Sequence, residues 1–167
     1  MPNTQIVHPG TYPLLDVLGP SIAFLTLPDE PGATYCVMVG TIPPGVSIPL
    51  HSHPDFESFY ILSGTVEALV MEGNRSTWRP AKTGEFVHVP GDVKHAWRNT
   101  SLEPVVQLLT TTPKLGRFFQ EIGRAVSPGA PPAPPTPAEL QHFAQISARY
   151  GYWLASTAEN AAIGISF

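Results

Sequence analysis

HSHPDFESFYILSG, residues His51–Gly64, sets two histidines one residue apart and a glutamate four positions after the second. Side chains alternate across an extended chain. His51 and His53 therefore point to one side, and Glu57 shares their parity. Two imidazoles and a carboxylate converging on one face can bind a divalent transition metal. The same parity turns Phe59 and Ile61 inward and Ser58, Tyr60 and Leu62 outward. Pro43-Pro44-Gly45 precedes the stretch as a turn, and Gly64 ends the strand.

By itself an H-x-H is a weak signal, but a second segment strengthens it. GEFVHVPGDVKHAWRN, residues 84–99, runs through a glycine, a strand and a proline turn to His95, with Asn99 four residues on. A fourth ligand arriving from a separate strand is what a mononuclear site in a barrel needs. Between Gly64 and Gly84 lies room for one hairpin, turning at Gly73-Asn74, a composition typical of two-residue turns. Parity from His95 puts Trp97 and Asn99 on the ligand side and Arg98 away from it. Trp97 is a candidate pocket wall, or a plain core aromatic. Phe56 is a candidate for the site mouth, or a hydrophobic plug. His88 falls off the metal side, and His8 and His142 are expected in solvent.

Working outward, short runs rich in β-branched and aromatic residues recur through the first 112 positions. They are 21–27, 33–41, 57–62, 65–71, 76–79, 85–89, 95–100 and 105–111. Gly, Pro, Asn or Asp separates most of them, the pattern of an all-β sandwich or barrel. Met38 and Cys36 fall in one such run and read as core residues. After Thr112 the period changes. Leu115, Phe118, Phe119, Ile122 and Val126 recur at helical spacing, which predicts a helix over 113–126. SPGAPPAPPTP, 127–137, reads as an extended proline-rich connector. Its P-x-x-P at Pro132 and Pro135 fits a recognition motif, but such motifs arise by chance in proline-rich runs and a plain spacer is the favoured reading. Thr136, Pro137 and Glu139 form a helix start with a capping box. A second helix is expected over about 137–150, with Gly151 closing it. The division is thus a β-barrel over 1–112, with an N-terminal arm over roughly 1–20, and a helical extension over 113–167. Residues 152–167 carry no clear pattern.

Composition bounds the function. The 167 residues are 43% hydrophobic and only 13% charged, about half the usual charged share. Either a partner subunit covers part of the surface, or the surface is neutral and proline-rich. Net charge is −4 with scattered basic residues, so no nucleic-acid footprint is expected. No apolar run approaches the roughly 18 residues of a membrane span. The first residues show no secretory signal, Cys36 is the single cysteine, and a cytoplasmic location is expected.

The two histidine segments resemble the paired motifs of the cupin superfamily. Gly45, His51, His53, Glu57 and Gly64 match every fixed position of the first motif. Gly84, Pro90, His95 and Asn99 fall in register with the second. One position departs, where Asp92 stands in place of a glycine. The resemblance spans roughly residues 40–112. It implies a double-stranded β-helix, the cupin jelly roll, with the C-terminal helices packed on the barrel or on a partner subunit. It implies one divalent transition metal (Fe, Mn, Ni, Zn or Cu) held by His51, His53, Glu57 and His95. Glu57 is the ligand that can also serve as a general base, a role given to its counterpart in quercetin-dioxygenase-like cupins. Phe56, Phe59, Ile61 and Trp97 are the candidate pocket residues.

The first functional expectation is a metal-dependent dioxygenase acting on a small organic substrate, with aromatic compounds among the candidates. The alternatives are a non-redox metal-dependent isomerase, lyase or cyclase, and a non-catalytic binding module. A fold alone does not choose among them. Both faces of ESFYIL and VEALVM are apolar, whereas an antiparallel sheet usually keeps one face wet. A homodimer is the favoured way to cover the second face, and the C-terminal helices are the other.

Overall fold

The computed structural model of the chain describes residues 4–8, 10–73, 75–127, 129 and 133–166. The alternating runs become strands: β1 (Leu14–Asp16), β2 (Ser21–Phe24), β3 (Cys36–Ile42), β4 (Ser47–Ser52), β5 (Glu57–Ser63), β6 (Thr65–Glu72), β7 (Arg75–Lys82), β8 (Phe86–Val89), β9 (His95–Arg98) and β10 (Val105–Thr111). Next come α1 (Pro113–Ile122), β11 (Arg124–Val126), α2 (Pro137–Tyr150), β12 (Trp153–Leu154) and α3 (Thr157–Ala162). Two antiparallel sheets result, in the orders β11-β1-β2-β3-β10-β5-β8 and β12-β4-β9-β6-β7. This is the all-β sandwich that the strand pattern predicts, in the jelly-roll form that the resemblance implies.

The core lies between the sheets. Every second residue of β3 and of β10 is buried, because a period of two sends alternate side chains to one face. Met38, Ile42, Phe59, Ile61, Trp97 and Leu109 meet there. Cys36 is buried with them, and burial pushes its thiol up to about 11, so it is inert as a nucleophile.

The hairpin of β6 and β7 closes at the pair Glu72↔Arg75. This brackets the expected two-residue turn, of which Asn74 lies outside the described residues. Pro132 of the P-x-x-P and connector residues 128, 130 and 131 also lie outside them.

The chain after Thr112 differs from the sequence expectation in one respect. The helix expected over 113–126 stops at Ile122, and Val126 lies in β11, paired with Leu14. Gly123 turns to φ −76, ψ 140 at the C-cap, where a Cβ would sit 2.7 Å from the Phe119 carbonyl oxygen. The next helix spans Pro137–Tyr150. Thr136 and Glu139 form its capping box, and Gly151 closes it in the left-handed conformation at φ +74. The C-terminal segment adds one strand to each sheet, β11 beside β1 and β12 beside β4.

It also covers one outer face. Ile163 and Ile165 pack with Leu50, Leu69 and Ala96 on the outside of the five-stranded sheet. The outer face of the seven-stranded sheet stays open in the single chain, with Tyr60 and Leu62 each 44% and Phe86 63% exposed. No helix among the described residues is long and apolar enough to cross a membrane.

Candidate metal centre

Adjacent strands of the five-stranded sheet bring the histidines together. β4 and β9 pair so that His51 lies directly opposite His95, and their ring centroids are 4.1 Å apart. His53 follows β4 by one residue, and Glu57 opens β5 in the other sheet. One ligand atom from each of His51, His53, Glu57 and His95 falls within 4.8 Å of all the others. His53, Glu57 and His95 are buried. The four residues singled out by parity and motif thus converge, and the cluster can hold a metal.

The hydrogen bonds around the rings fix which nitrogen faces the centre. His51 Nδ1 lies 2.7 Å from the Pro49 carbonyl oxygen. His53 Nδ1 lies 2.9 Å from that of Asp55, and His95 Nδ1 2.8 Å from that of Val93. A carbonyl can only accept, so each Nδ1 carries the proton and donates. Each ring then turns its Nε2 toward the centre, where its neutral form offers a lone pair to a metal. This is the arrangement by which backbone carbonyls orient metal-binding histidines. Glu57 Oε2 sits 3.0 Å from His95 Nε2 and 3.6 Å from His53 Nε2. Two acceptors at that range need a proton or a cation between them. The donor set of three imidazoles and one carboxylate suits a first-row divalent ion.

The local charges agree. Burial, and then the facing His95, hold the His51 imidazole down at about 3. It is neutral, as a ligand must be. Burial alone would raise the Glu57 carboxyl, but hydrogen bonds from His53 and His95 outweigh it and hold it well below the usual range. Burial lowers His53, and the bond and charge of Glu57 more than reverse it.

A cavity of about 380 Å³ opens above this floor, within the size range of small-molecule sites. Phe59 and Trp97 line it, in T-shaped contact with centroids 4.5 Å apart. Of the other two candidate pocket residues, Ile61 is fully buried within the core. Phe56 places its ring 6.3 Å from that of His88. Neither is among the residues that line the cavity. His88 is exposed and bonded to Ser58 at 2.9 Å; Arg98 pairs with Glu67, away from the metal ligands.

Three contributions escape a reading of the histidine segments alone. Phe118 and Phe119 of α1 and Phe143 of α2 close the cavity from the C-terminal side; their helical spacing is visible in sequence, their target is not. Tyr152 also lines the cavity, and its hydroxyl donates to Asp55 Oδ2 at 2.6 Å. Gln107 enters from β10. The departure at Asp92 is also explained. Its φ is +64, the left-handed conformation that glycine adopts freely and that aspartate tolerates better than most residues. Its N–H donates to the His53 carbonyl oxygen at 2.7 Å.

Fold and site together define a cupin. Residues 38–111 match the family model described as "Cupin domain", and this part of the chain is a cupin domain. Among known proteins it is similar to Protein SchB of Streptomyces halstedii, with 34% identity over 84 residues, 49% of this chain and 58% of that protein. The chain spans less than two thirds of that relative's length. The polyketide cyclase RemF from Streptomyces resistomycificus has the same fold, with a TM-score of 0.57 at 14% identity over 66% of this chain and 80% of that one. Oxalate decarboxylase from Bacillus subtilis gives a TM-score of 0.51 at 23% identity, over 62% of this chain and 27% of that one.

Proposed function

We propose that this chain is a mononuclear metal-dependent cupin enzyme acting on a small, mainly apolar organic substrate. His51, His53, Glu57 and His95 hold one divalent transition metal. The observation that carries the reading is the orientation of the three rings. Each Nδ1 is tied back to a carbonyl, so that the Nε2 atoms and Glu57 meet at the floor of an apolar cavity.

Such a metal supplies Lewis acidity and, where it is redox-active, reaction with dioxygen. The chain's residues do the rest. Phe59 and Trp97 stack against the substrate, and the aromatic residues of α1 and α2 exclude water from it. Glu57 is the residue placed to take a proton from a substrate carbon or oxygen. A dioxygenase is the first assignment. The non-redox reading, an isomerase, lyase or cyclase, needs only the base and the Lewis acid. The name of RemF, a polyketide cyclase, belongs to a protein alike in fold alone.

Residues 113–167 act in this reading as an extension that completes the cavity wall. The protein works as a homodimer through the open face of the seven-stranded sheet, where Tyr60, Leu62 and Phe86 are exposed. Light scattering on wild type and Phe86→Lys tests the dimer, and a wild-type monomer sinks it.

Elemental analysis of protein purified without added metal tests the centre, together with oxygen uptake in the presence of flat phenolic compounds. About one redox-active ion per chain with compound-dependent oxygen uptake is expected. Zinc without oxygen uptake moves the assignment to the non-redox reading. Absence of any bound transition metal, together with unchanged stability of His51→Ala and His95→Ala, overturns the metal-centred account.

A further inference from the structure

Gln107 breaks the inward row of β10. Val105, Leu109 and Thr111 on the same face are all buried, and Gln107 among them is only 4% exposed. It lines the cavity, yet its Oε1 is buried with no hydrogen-bond partner among the described residues. A buried amide oxygen without a donor is costly, and an apolar side chain of similar size would avoid that cost. The strand opposite makes room for it. Gly40 is its Cα partner on β3. Even a Cβ there would approach the Gln107 Cγ to 3.5 Å and Nε2 to 3.6 Å, so a longer side chain would take the carboxamide's space.

Register sets its distance from the metal ligands. Thr111 pairs with Glu57, and Gln107 lies four residues further along the same strand. At the rise of an extended chain that is about 13 Å. The metal-binding cluster and the carboxamide thus mark two ends of one mainly apolar cavity, a length that suits two or three fused rings.

We propose that Gln107 is a specificity residue: it hydrogen-bonds a hydroxyl group at the end of the ligand remote from His51, His53, Glu57 and His95. The inference rests on the proposed function for the near end of the ligand. A hydroxyl is both donor and acceptor. It satisfies the orphan Oε1 by donating its proton. An ether at the same position has no proton to give the oxygen.

The probes are 2,6-dihydroxynaphthalene and 6-methoxy-2-naphthol, which differ only in a far-end proton donor and its cap. Their dissociation constants are measured by fluorescence titration against the zinc-loaded full chain, wild type and Gln107→Met. Wild type is expected to prefer the diol by about tenfold, since a site that hydrogen-bonds a hydroxyl rejects the analogue without one. In Gln107→Met, close in shape and without the amide, the two constants should agree within about twofold. A residue needed only for folding would change both constants together and leave their ratio alone. Equal affinities in wild type, no binding of either probe, or a ratio unchanged by Gln107→Met each overturn the proposal. Zinc stoichiometry on the same samples reports separately on the metal centre: a failed ratio with one zinc per chain removes the role of Gln107 and leaves the metal reading standing.

Discussion

The hydroxyl of Tyr152 donates to Asp55 Oδ2 at 2.6 Å across 97 residues of sequence. The backbone carbonyl of the same Asp55 accepts from His53 Nδ1. Thr112 donates to the other carboxylate oxygen, so this buried acid ties the C-terminal segment to the loop that aims a metal ligand. Tyr152→Phe keeps the ring and removes the donor. The expected cost is about 1–3 kcal/mol of stability, the penalty for leaving a buried acceptor unsatisfied. Metal affinity should fall at least about tenfold, as for other groups that orient ligands from behind. A chelator competition titration reads the affinity. If Tyr152→Phe binds metal as tightly as wild type, Asp55 does not depend on Tyr152 to position His53.

The outer face of the five-stranded sheet depends on the last residues described. Ile165 is 2% exposed against Leu50, Leu69 and Ala96. Asn160 Oδ1 accepts from the Leu50 N–H at 2.9 Å, which holds α3 against β4. Ile165→Ala should cost about 2–5 kcal/mol, the range for emptying a packed apolar site. Urea unfolding measures it. A loss below about 0.5 kcal/mol, the scale of a surface change, means that the segment is not part of the folded unit.

Much of the site is legible in the sequence because two periodicities act locally. The alternation of β5 turns Glu57 and Phe59 inward while Tyr60 and Leu62 stay exposed, whereas His53 lies in the turn between the sheets and Glu57 faces His51 from the opposite sheet. The capping box at Thr136 and Glu139 places the start of α2. What is not legible depends on distant partners. Trp153–Leu154 is too short to show a period and is a strand only because β4 lies beside it. Residues 152–167 carry no pattern because Ile165 answers to Leu50 and Leu69, more than 90 residues away. Val126 continues a helical stripe, but Gly123 ends the helix and Leu14 pairs with Val126 in a sheet. Gln107 sits in VVQLLTT, where alternation gives its side of the strand but not the cavity it meets.

At the turn before β9, Asp92 occupies a left-handed position at φ +64. Asp92→Gly should be neutral or stabilising by up to about 1 kcal/mol, since glycine adopts this conformation without steric cost. Asp92→Val should destabilise, because a β-branched residue resists it. Gly91→Ala gives a contrast one residue away. A Cβ on Gly91 would overlap the Pro54 carbonyl oxygen, a backbone atom beside His53 that cannot swing aside. Thermal unfolding of the three variants should rank them Asp92→Gly, then Asp92→Val, with Gly91→Ala last or unfolded. A stable Gly91→Ala would show that this turn does not pack as described.

On the outer face of the same sheet, Arg98 Nε donates to Glu67 Oε2 at 2.7 Å, and the Arg98 guanidinium lies over the Trp78 ring at 4.3 Å. The hydrogen bond from Arg98 is the main reason that the Glu67 carboxyl titrates below its ordinary value of 4.5. The direction fixes the sign. In the unfolded chain Glu67 takes up its proton at a higher pH than in the folded one. The pair's contribution is therefore fully present above 4.5 and is lost as pH falls through the lower folded value. Both side chains are a quarter exposed, so the contribution at neutral pH is no more than about 1 kcal/mol. Glu67→Gln should lose that amount at pH 7 and show a shallower fall in stability on acidification than wild type. Urea midpoints across a pH series in the two proteins isolate the difference from the other carboxylates. Parallel curves would mean that solvent screens the Glu67–Arg98 pair completely.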